Sequence, residues 1–254
     1  MVGVLGTGVL VAIDPAGKIN SANIAKAETF SASVQNNLAF DLVGEWTFDG
    51  NANDTSGYEN ITSIVGSGVA LAPDRRNRGS KAYSLAGSGY INTGSGANLN
   101  ITNAITIEGW IKLNQLGVEN GIWGKGNYQW ALTMQTGNKL EFQYTDGGGS
   151  YRQSIGISAV PNTNWHHIAI TRAGITDSIY IDGVLDKRAN NGTAGFADSG
   201  GNAFRIGYAV GWWRGADYFT GSIDDVRIYK ATLLSSQIKQ LYAQGLVKHL
   251  LAFR

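Results

Sequence analysis

Apolar and polar positions divide the chain into two unequal stretches. From residue 42 onward, short runs alternate apolar and polar side chains, the period-two pattern of strands that bury one face. Ile105, Ile107, Ile111 and Leu113 share one face of such a run, and Thr106, Glu108, Trp110 and Lys112 share the other. Leu140, Phe142 and Tyr144 alternate with Glu141, Gln143 and Thr145. Further strands are predicted over 128–134, 165–172, 178–181, 184–188 and 204–207. Asp182-Gly183 lies between two of them and is a strong hairpin signal, because both central positions of a type I′ turn need positive φ. Gly147-Gly148-Gly149 marks another turn. The pattern predicts one helix in this stretch, over 233–244, with Ile238, Leu241 and Tyr242 apolar and Gly245 as its stop. Many short strands separated by turn residues predict an all-β fold, a two-sheet antiparallel jelly-roll sandwich with a short C-terminal helix.

The first forty residues follow a different period. Residues 1–13 are uncharged and apolar, well short of the roughly 20 residues a spanning helix needs. No basic residue precedes Lys18, so the n-region of a signal peptide is missing. Asp14-Pro15 separates this run from a predicted α-helical tail over 16–40, in which Ile24, Ala27, Phe30, Val34 and Leu38 recur three or four residues apart as one apolar stripe. The stripe either packs on its own domain or forms a self-association surface. The predicted organisation is an N-terminal helix over 1–40, a sandwich over 41–245 and a tail over 246–254.

Composition narrows the picture. Gly counts 35 of 254 residues, about twice its usual share, and charged residues only 15%. The absence of Cys excludes disulfides and thiolate metal sites. A net charge of +1 supplies no general attraction to nucleic acid or an anionic membrane.

Two groups of residues carry candidate chemistry. Asp49, Asn51, Asn53 and Asp54 form an acidic, amide-rich turn after the first sandwich strand, and Asp224-Asp225 opens the last. First and last strands of a jelly roll are commonly neighbours, so these carboxylates could meet and hold a calcium ion, which takes oxygen ligands. Alternatively they cap turns, with Asp225 pairing with Arg227 or Lys230. Trp212-Trp213 lies in the loop GWWRGADY; successive strand side chains alternate faces, so the two rings cannot both point inward. With Arg214 and Asp217 as polar anchors they could form a lectin-like sugar platform, or else a contact to a neighbouring subunit or a plug under a loop. Trp46, Trp110 and Trp165 are expected in the core. His166-His167 sits mid-strand, with one ring expected to be buried and hydrogen-bonded and the other at the surface. Arg75-Arg76-Asn77-Arg78 is expected to be solvated. No GxSxG or HExxH pattern is present, and no catalytic residue is assigned.

The runs LVGEWTFDGNANDTSG (42–57), ITIEGWIKL (105–113), WHHIAITR (165–172), IYIDG (179–183), FRIGY (204–208) and FTGSIDDVRIYKATLLSSQI (219–238) resemble, in this order, a laminin-G-like domain of the concanavalin A-like lectin/glucanase fold. The resemblance implies a structural calcium, mapping most firmly onto Asp49 and Asp224 and then onto Asp54 and Asp225. The glucanase pattern E-x-D-x-x-E is not in the chain, which removes the paired carboxylates that glycoside hydrolysis requires. The run VLVAIDPAGKINSANIAKAETFSAS (9–33) resembles the tails of type IV pilins and type II secretion pseudopilins, with Pro15 as the helix-kinking proline. The cleavage glycine and following glutamate of those families are not in the chain and would align before Met1. Together the resemblances imply an extracellular, non-catalytic, pilin-like filament subunit, in contact with the membrane only before assembly, whose head serves adhesion or recognises a glycan or cell-surface ligand. A free carbohydrate-binding module or lectin is the alternative, and a glycan-active enzyme the third reading.

Overall fold

The structure, a computed structural model, describes residues 2–5, 9–12, 38–126, 129–198, 200–211 and 215–247. In chain order its strands are β1 (Val2–Leu5), β2 (Val9–Ala12), β3 (Leu42–Trp46), β4 (Ser63–Gly66), β5 (Val69–Ala72), β6 (Ala82–Ala86), β7 (Gly89–Asn92), β8 (Ile105–Leu113), β9 (Asn120–Lys125), β10 (Trp130–Met134), β11 (Lys139–Thr145), β12 (Tyr151–Ala159), β13 (Trp165–Ala173), β14 (Thr176–Ile181), β15 (Val184–Asn190), β16 (Phe204–Ile206), β17 (Tyr208–Gly211), β18 (Gly215–Tyr218) and β19 (Thr220–Tyr229). Helix α1 (Ser235–Val247) follows.

Two antiparallel sheets form the sandwich. One has seven strands in the order β12-β11-β10-β9-β16-β7-β4, and the other eight in the order β15-β14-β13-β8-β19-β6-β5, with β3 also paired to β19. The expected alternation holds on the inner faces. Ile105, Ile107, Ile111 and Leu113 of one sheet and Leu140, Phe142 and Tyr144 of the other are all buried in one core. Gly109 interrupts the inward row of β8 because Trp123 reaches it from the opposite sheet; a Cβ there would lie 3.3 Å from the indole and 3.2 Å from Val226. Asp182 and Gly183 have φ of 50° and 74°, the positive pair that a two-residue hairpin between β14 and β15 requires.

At one end of the sandwich a buried polar group joins the sheets. The Tyr144 hydroxyl donates to Asp177 Oδ2 at 2.8 Å, and Arg172 Nη1 donates to Asp177 Oδ1 at 2.5 Å. The guanidinium also lies 4.1 Å from the Tyr144 ring centre. Burial and the Asp177 charge push the Tyr144 phenol far above its ordinary range. The group therefore keeps one neutral hydroxyl between a carboxylate and a cation, satisfying three groups that would be costly to bury singly.

The outer face of the eight-stranded sheet is buried as well. Leu38, Ala169, Tyr180, Tyr229, Leu233, Ile238 and Leu241 form a second cluster between this face and α1. Trp110 lies under the same helix, 5.6 Å from Tyr242 and 5.5 Å edge-on to His167. Trp46 is fully buried in the core, Trp110 is buried in this outer layer, and Trp165 is only half-buried.

Three expectations are corrected here. Residues 2–5 and 9–12 form an antiparallel β1–β2 pair, registered from Val2↔Ala12 to Leu5↔Val9, at the start of the region read as helical; the β-branched valines favour extended backbone. Residues 38–41 are helical, but Leu38 is buried on its own domain and so is not part of an open stripe. The other stripe residues, Ile24, Ala27, Phe30 and Val34, lie outside the described residues. Gly245 does not stop the helix, which runs on to Val247; a Cβ at Gly245 would meet Trp110 Nε1 at 2.3 Å, so the glycine lets the helix settle onto the indole.

Candidate functional site

The β17–β18 hairpin leaves the seven-stranded sheet after Gly207 and folds over its outer face. Its backbone comes so close to β9 that side chains there are excluded. A Cβ at Gly121 would lie 2.1 Å from the Asp217 carbonyl oxygen and 2.7 Å from Ala209 N, and one at Gly124 would lie 3.2 Å from Ala209 Cα. Tyr208 pairs with Tyr218 and Ala209 with Asp217. Side chains alternate along each strand, so the fully buried Ala209 and Asp217 face the sheet, whereas Tyr208 and Tyr218 face away from it.

Tyr90 of β7 completes an aromatic cluster. Its ring centre lies 4.9 Å from Tyr208 and 6.4 Å from Tyr218, and Tyr208 and Tyr218 are 4.9 Å apart. Tyr90 and Arg205 are on the outer face because their strand neighbours Ile91, Phe204 and Ile206 are buried in the core. Arg205 lies 5.9 Å from the Tyr90 ring centre and 5.4 Å from that of Tyr208, within reach of a cation–π attraction. Among the described residues Arg205 has no ion-pair partner. Burial raises the Tyr208 phenol above its ordinary value, so it stays a neutral donor at physiological pH. Tyr218 is 37% exposed. Three aromatic rings, three hydroxyls and one guanidinium thus share one open surface patch.

Trp212, Trp213 and Arg214 lie outside the described residues, between the two strands of this hairpin. Asp217 is not an anchor on the open side, since it faces the sheet. The sequence reading missed Tyr90, Arg205, Tyr208 and Tyr218. Two of these flank the tryptophan loop, so a hairpin reading of 208–218 would have placed Tyr208 opposite Tyr218. Nothing local links Tyr90 to them.

Each of the four candidate metal ligands is engaged by other groups of the fold. Asp54 closes its own turn, accepting from the N–H groups of Glu45 and Ser56 at 2.9 Å, from Asn60 N at 3.0 Å and from Asn60 Nδ2 at 2.7 Å. Burial alone would raise its carboxyl, but these donors hold it below its ordinary value. Asp49 lies 3.5 Å from Lys81 Nζ at the surface. Asp224 and Asp225 are buried and bridged by Arg75, whose Nη1 and Nη2 stand 2.5 and 2.6 Å from them. A bulge brings this about: the β19–β8 register shifts between Asp224 and Arg227, and Asp225 takes φ of 49°, which puts two successive carboxylates within reach of one guanidinium. Where a cation was expected between carboxylates, the structure has an arginine. Among the described residues no three His, Cys, Asp or Glu are grouped to hold a metal.

Arg75 also donates from Nε to the Gly245 carbonyl at 2.9 Å and lies 4.4 Å from the Trp110 ring centre. Arg76 donates to the Leu246 carbonyl, and Arg78 pairs with Asp74 at 2.9 Å. The basic run is therefore not simply solvated; it neutralises buried carboxylates and caps the C-terminal end of α1. Both histidines are buried. His166 shares a 2.8 Å hydrogen bond with Asp182, and His167 a 2.9 Å bond with Glu108; the expected surface histidine is absent because the Asp182 hairpin closes over His166. Burial would raise the Glu108 carboxyl, but the Arg227 charge and the His167 bond hold it below its ordinary value.

Glu141 and Asp146 are also committed. Glu141 Oε2 lies 3.4 Å from the Thr133 hydroxyl. Asp146 accepts from Ser150 N, Thr193 N and Arg152 Nε. Burial opposes its ionisation, but these contacts hold it far below the usual carboxylate range.

Residues 85–239 match the laminin G 3 family, described as the concanavalin A-like lectin/glucanases superfamily, and the chain belongs to it. Among solved structures it is similar to domain 4 of AbnA, a GH43 extracellular arabinanase from Geobacillus stearothermophilus, solved with arabinotriose. The two share 23% identity at a TM-score of 0.64, over 80% of this chain and 98% of that one. The binding domain of Paraclostridial Mosquitocidal Protein 1 is similar at 19% identity and a TM-score of 0.63, over 81% of this chain and 52% of that one. A botulinum neurotoxin type C structure, from work tying its cell entry to two ganglioside molecules, is similar at 17% identity and a TM-score of 0.65, over 83% of this chain and 53% of that one. The chain thus spans about half the length of these two toxin structures. At these identities the likeness is one of fold. No curated protein matches the chain. Among the described residues no helix is long and apolar enough to cross a membrane.

A calcium titration separates the arginine from the ion. Asp224→Asn is expected to destabilise the fold by about 1.5–3 kcal/mol, since it removes a charged, buried hydrogen-bond partner, and to lower Tm by roughly 3–12 °C. The loss should be equal in calcium and in chelator when followed by calorimetry. A loss confined to calcium would restore the ion.

Proposed function

We propose that the domain is a non-catalytic extracellular binding module that takes a glycan across the tyrosine cluster and the tryptophan hairpin on the outer face of the seven-stranded sheet. The observation that carries this reading is the open patch of Tyr90, Tyr208 and Tyr218 beside Arg205. Aromatic rings cover the apolar C–H face of a sugar ring, while hydroxyls and a guanidinium without an ion pair supply hydrogen bonds to its rim. The loop carrying Trp212, Trp213 and Arg214 extends the same surface in sequence. The AbnA domain solved with arabinotriose, and the neurotoxin whose entry depends on gangliosides, support a saccharide as the ligand class. A non-catalytic role accords with the carboxylates at hand: Glu141, Asp146, Asp224 and Asp225 are all engaged within the fold.

The reading has a second part, that the head is carried by a pilin-like subunit which self-associates into a filament through its N-terminal residues. The run over 9–33 and its stripe of Ile24, Ala27, Phe30 and Val34 support it. Leu38 belongs to the head.

On a glycan array the full chain should retain a restricted set of saccharides. Tyr208→Ala and Tyr218→Ala should each lower that signal at least tenfold without shifting the unfolding transition by more than a few degrees. Retention by both variants equal to the parent would remove the tyrosine cluster from the site. In sedimentation, the full chain should associate while a chain beginning at residue 35, which keeps Leu38 on the head, runs as a monomer; identical sedimentation of the two would remove the filament role.

A further inference from the structure

We propose that the protein has a second binding site, for an oxyanion, in the cleft between the N-terminal end of α1 and the outer face of β13, β14 and β15. The cleft has a volume of about 300 Å³ and is lined by Thr171, Ser178, Tyr180, Arg188, Leu234 and Ser235, among others. It belongs to the eight-stranded sheet, on the side of the sandwich away from the tyrosine cluster, and the argument for it does not use the reading given above.

Strand register builds its floor. Thr171 is paired with Ser178, and Ser178 with Arg188. Directly opposed residues share a face, so two hydroxyls and a guanidinium stand in one row across three strands. Thr171 and Ser178 are only 2% and 4% exposed, and neither hydroxyl has a hydrogen-bond partner among the described residues. Both residues are nine-tenths buried, yet their hydroxyls are not sealed in the core; they open onto the cleft and can donate to a ligand that enters it. Arg188 is exposed and has no ion pair among the described residues.

The helix supplies the roof. Ile238 N donates to Leu234 O at 3.0 Å, which makes Leu234 the residue that caps the helix. That position normally holds Ser, Thr, Asp or Asn, whose oxygen accepts from the first free N–H groups. Leucine has no such oxygen. The Leu234 N–H is taken by Gln237 Oε1 at 2.8 Å, but the N–H groups of Ser235 and Ser236 have no acceptor within the helix. The Tyr180 and Ser235 hydroxyls, 3.1 Å apart, stand at the junction of roof and floor. Leu233, Ile238 and Leu241 anchor the helix in the apolar cluster alongside, so roof and floor are fixed relative to each other.

The donor set selects the ligand. The cleft offers hydroxyl and backbone N–H donors, a guanidinium and the positive end of a helix, and no carboxylate lines it. A cation would be repelled by every charge present. An oxyanion accepts from all of these groups at once, and guanidinium–oxyanion bonds are stronger than bonds between neutral partners. Sulfate and the carboxylate of an acidic sugar share this chemistry.

Calorimetric titration of the full chain with sodium sulfate, and separately with sodium glucuronate, at an ionic strength held constant with sodium chloride, tests the site. Saturable binding of one anion per chain is expected. Tighter binding of glucuronate identifies an acidic saccharide as the source, and tighter binding of sulfate a free or ester sulfate. Arg188→Gln should weaken binding at least tenfold and Ser178→Ala severalfold, whereas Tyr208→Ala should leave it unchanged. Arg188 is exposed, so its variant decides the matter even if Ser178→Ala folds poorly. No saturable binding of either anion, or an affinity unchanged by Arg188→Gln, would overturn the proposal. Saturable anion binding by a parent chain that retains no glycan would count against the tyrosine cluster alone.

Discussion

The outer face of the seven-stranded sheet depends on how closely one backbone can approach another. The β17–β18 hairpin lies on β9 at a separation that only glycine allows, with the Asp217 carbonyl where a Gly121 Cβ would stand. Glycine in a strand interior costs roughly 0.5–1 kcal/mol in backbone entropy relative to alanine. Here that cost is offset by the hairpin it admits. With Ala209 and Asp217 turned to the sheet, Tyr208 and Tyr218 are forced outward beside Tyr90. The aromatic patch is a consequence of main-chain approach.

The eight-stranded sheet solves the opposite problem. Its outer face carries Glu108, Asp224 and Asp225, all fully buried, and each has a cation or histidine within hydrogen-bond distance. Leaving any of these charges unpaired would be strongly destabilising. Arg75 is the most connected member, holding two carboxylates, a helix carbonyl and the face of Trp110. Helix α1 can cover this face because its charges are matched underneath and because Gly245 gives the indole room. One sheet thus carries a hairpin and the other a helix, and each covering element edges a candidate binding surface.

Much of the architecture could be read from residue order. Alternation in β8 and β11 identified the inner faces, and Asp182-Gly183 announced a hairpin whose φ values match. Alternation is silent about what covers a sheet from outside, so it placed Thr106, Glu108 and Trp110 on one face of β8 without showing that Tyr242 of α1, more than a hundred residues later, stacks on Trp110. Arg75 reaches Asp224 across 149 positions, which no local pattern encodes, and two adjacent aspartates suggested a metal because their arginine was out of sight. The tyrosine cluster was half legible: its two hairpin members sit in motifs that drew notice for other residues, while Tyr90 joins them only through the order of β9, β16 and β7. Gly245 read as a helix stop because a glycine required for close packing looks the same in sequence as one required for a turn.

The glycan-binding face proposed for the domain can be probed most directly through Gly121, which presents no side chain to a ligand. Gly121→Ala changes no aromatic residue of the chain but adds a methyl group 2.1 Å from the Asp217 carbonyl oxygen, which forces the hairpin carrying Tyr208 and Tyr218 to shift. Glycan retention by this variant, measured on the same array as the parent with calorimetry confirming a single cooperative transition, should fall at least tenfold. Undiminished retention by the folded variant, or no glycan retained by the parent chain, would contradict the account.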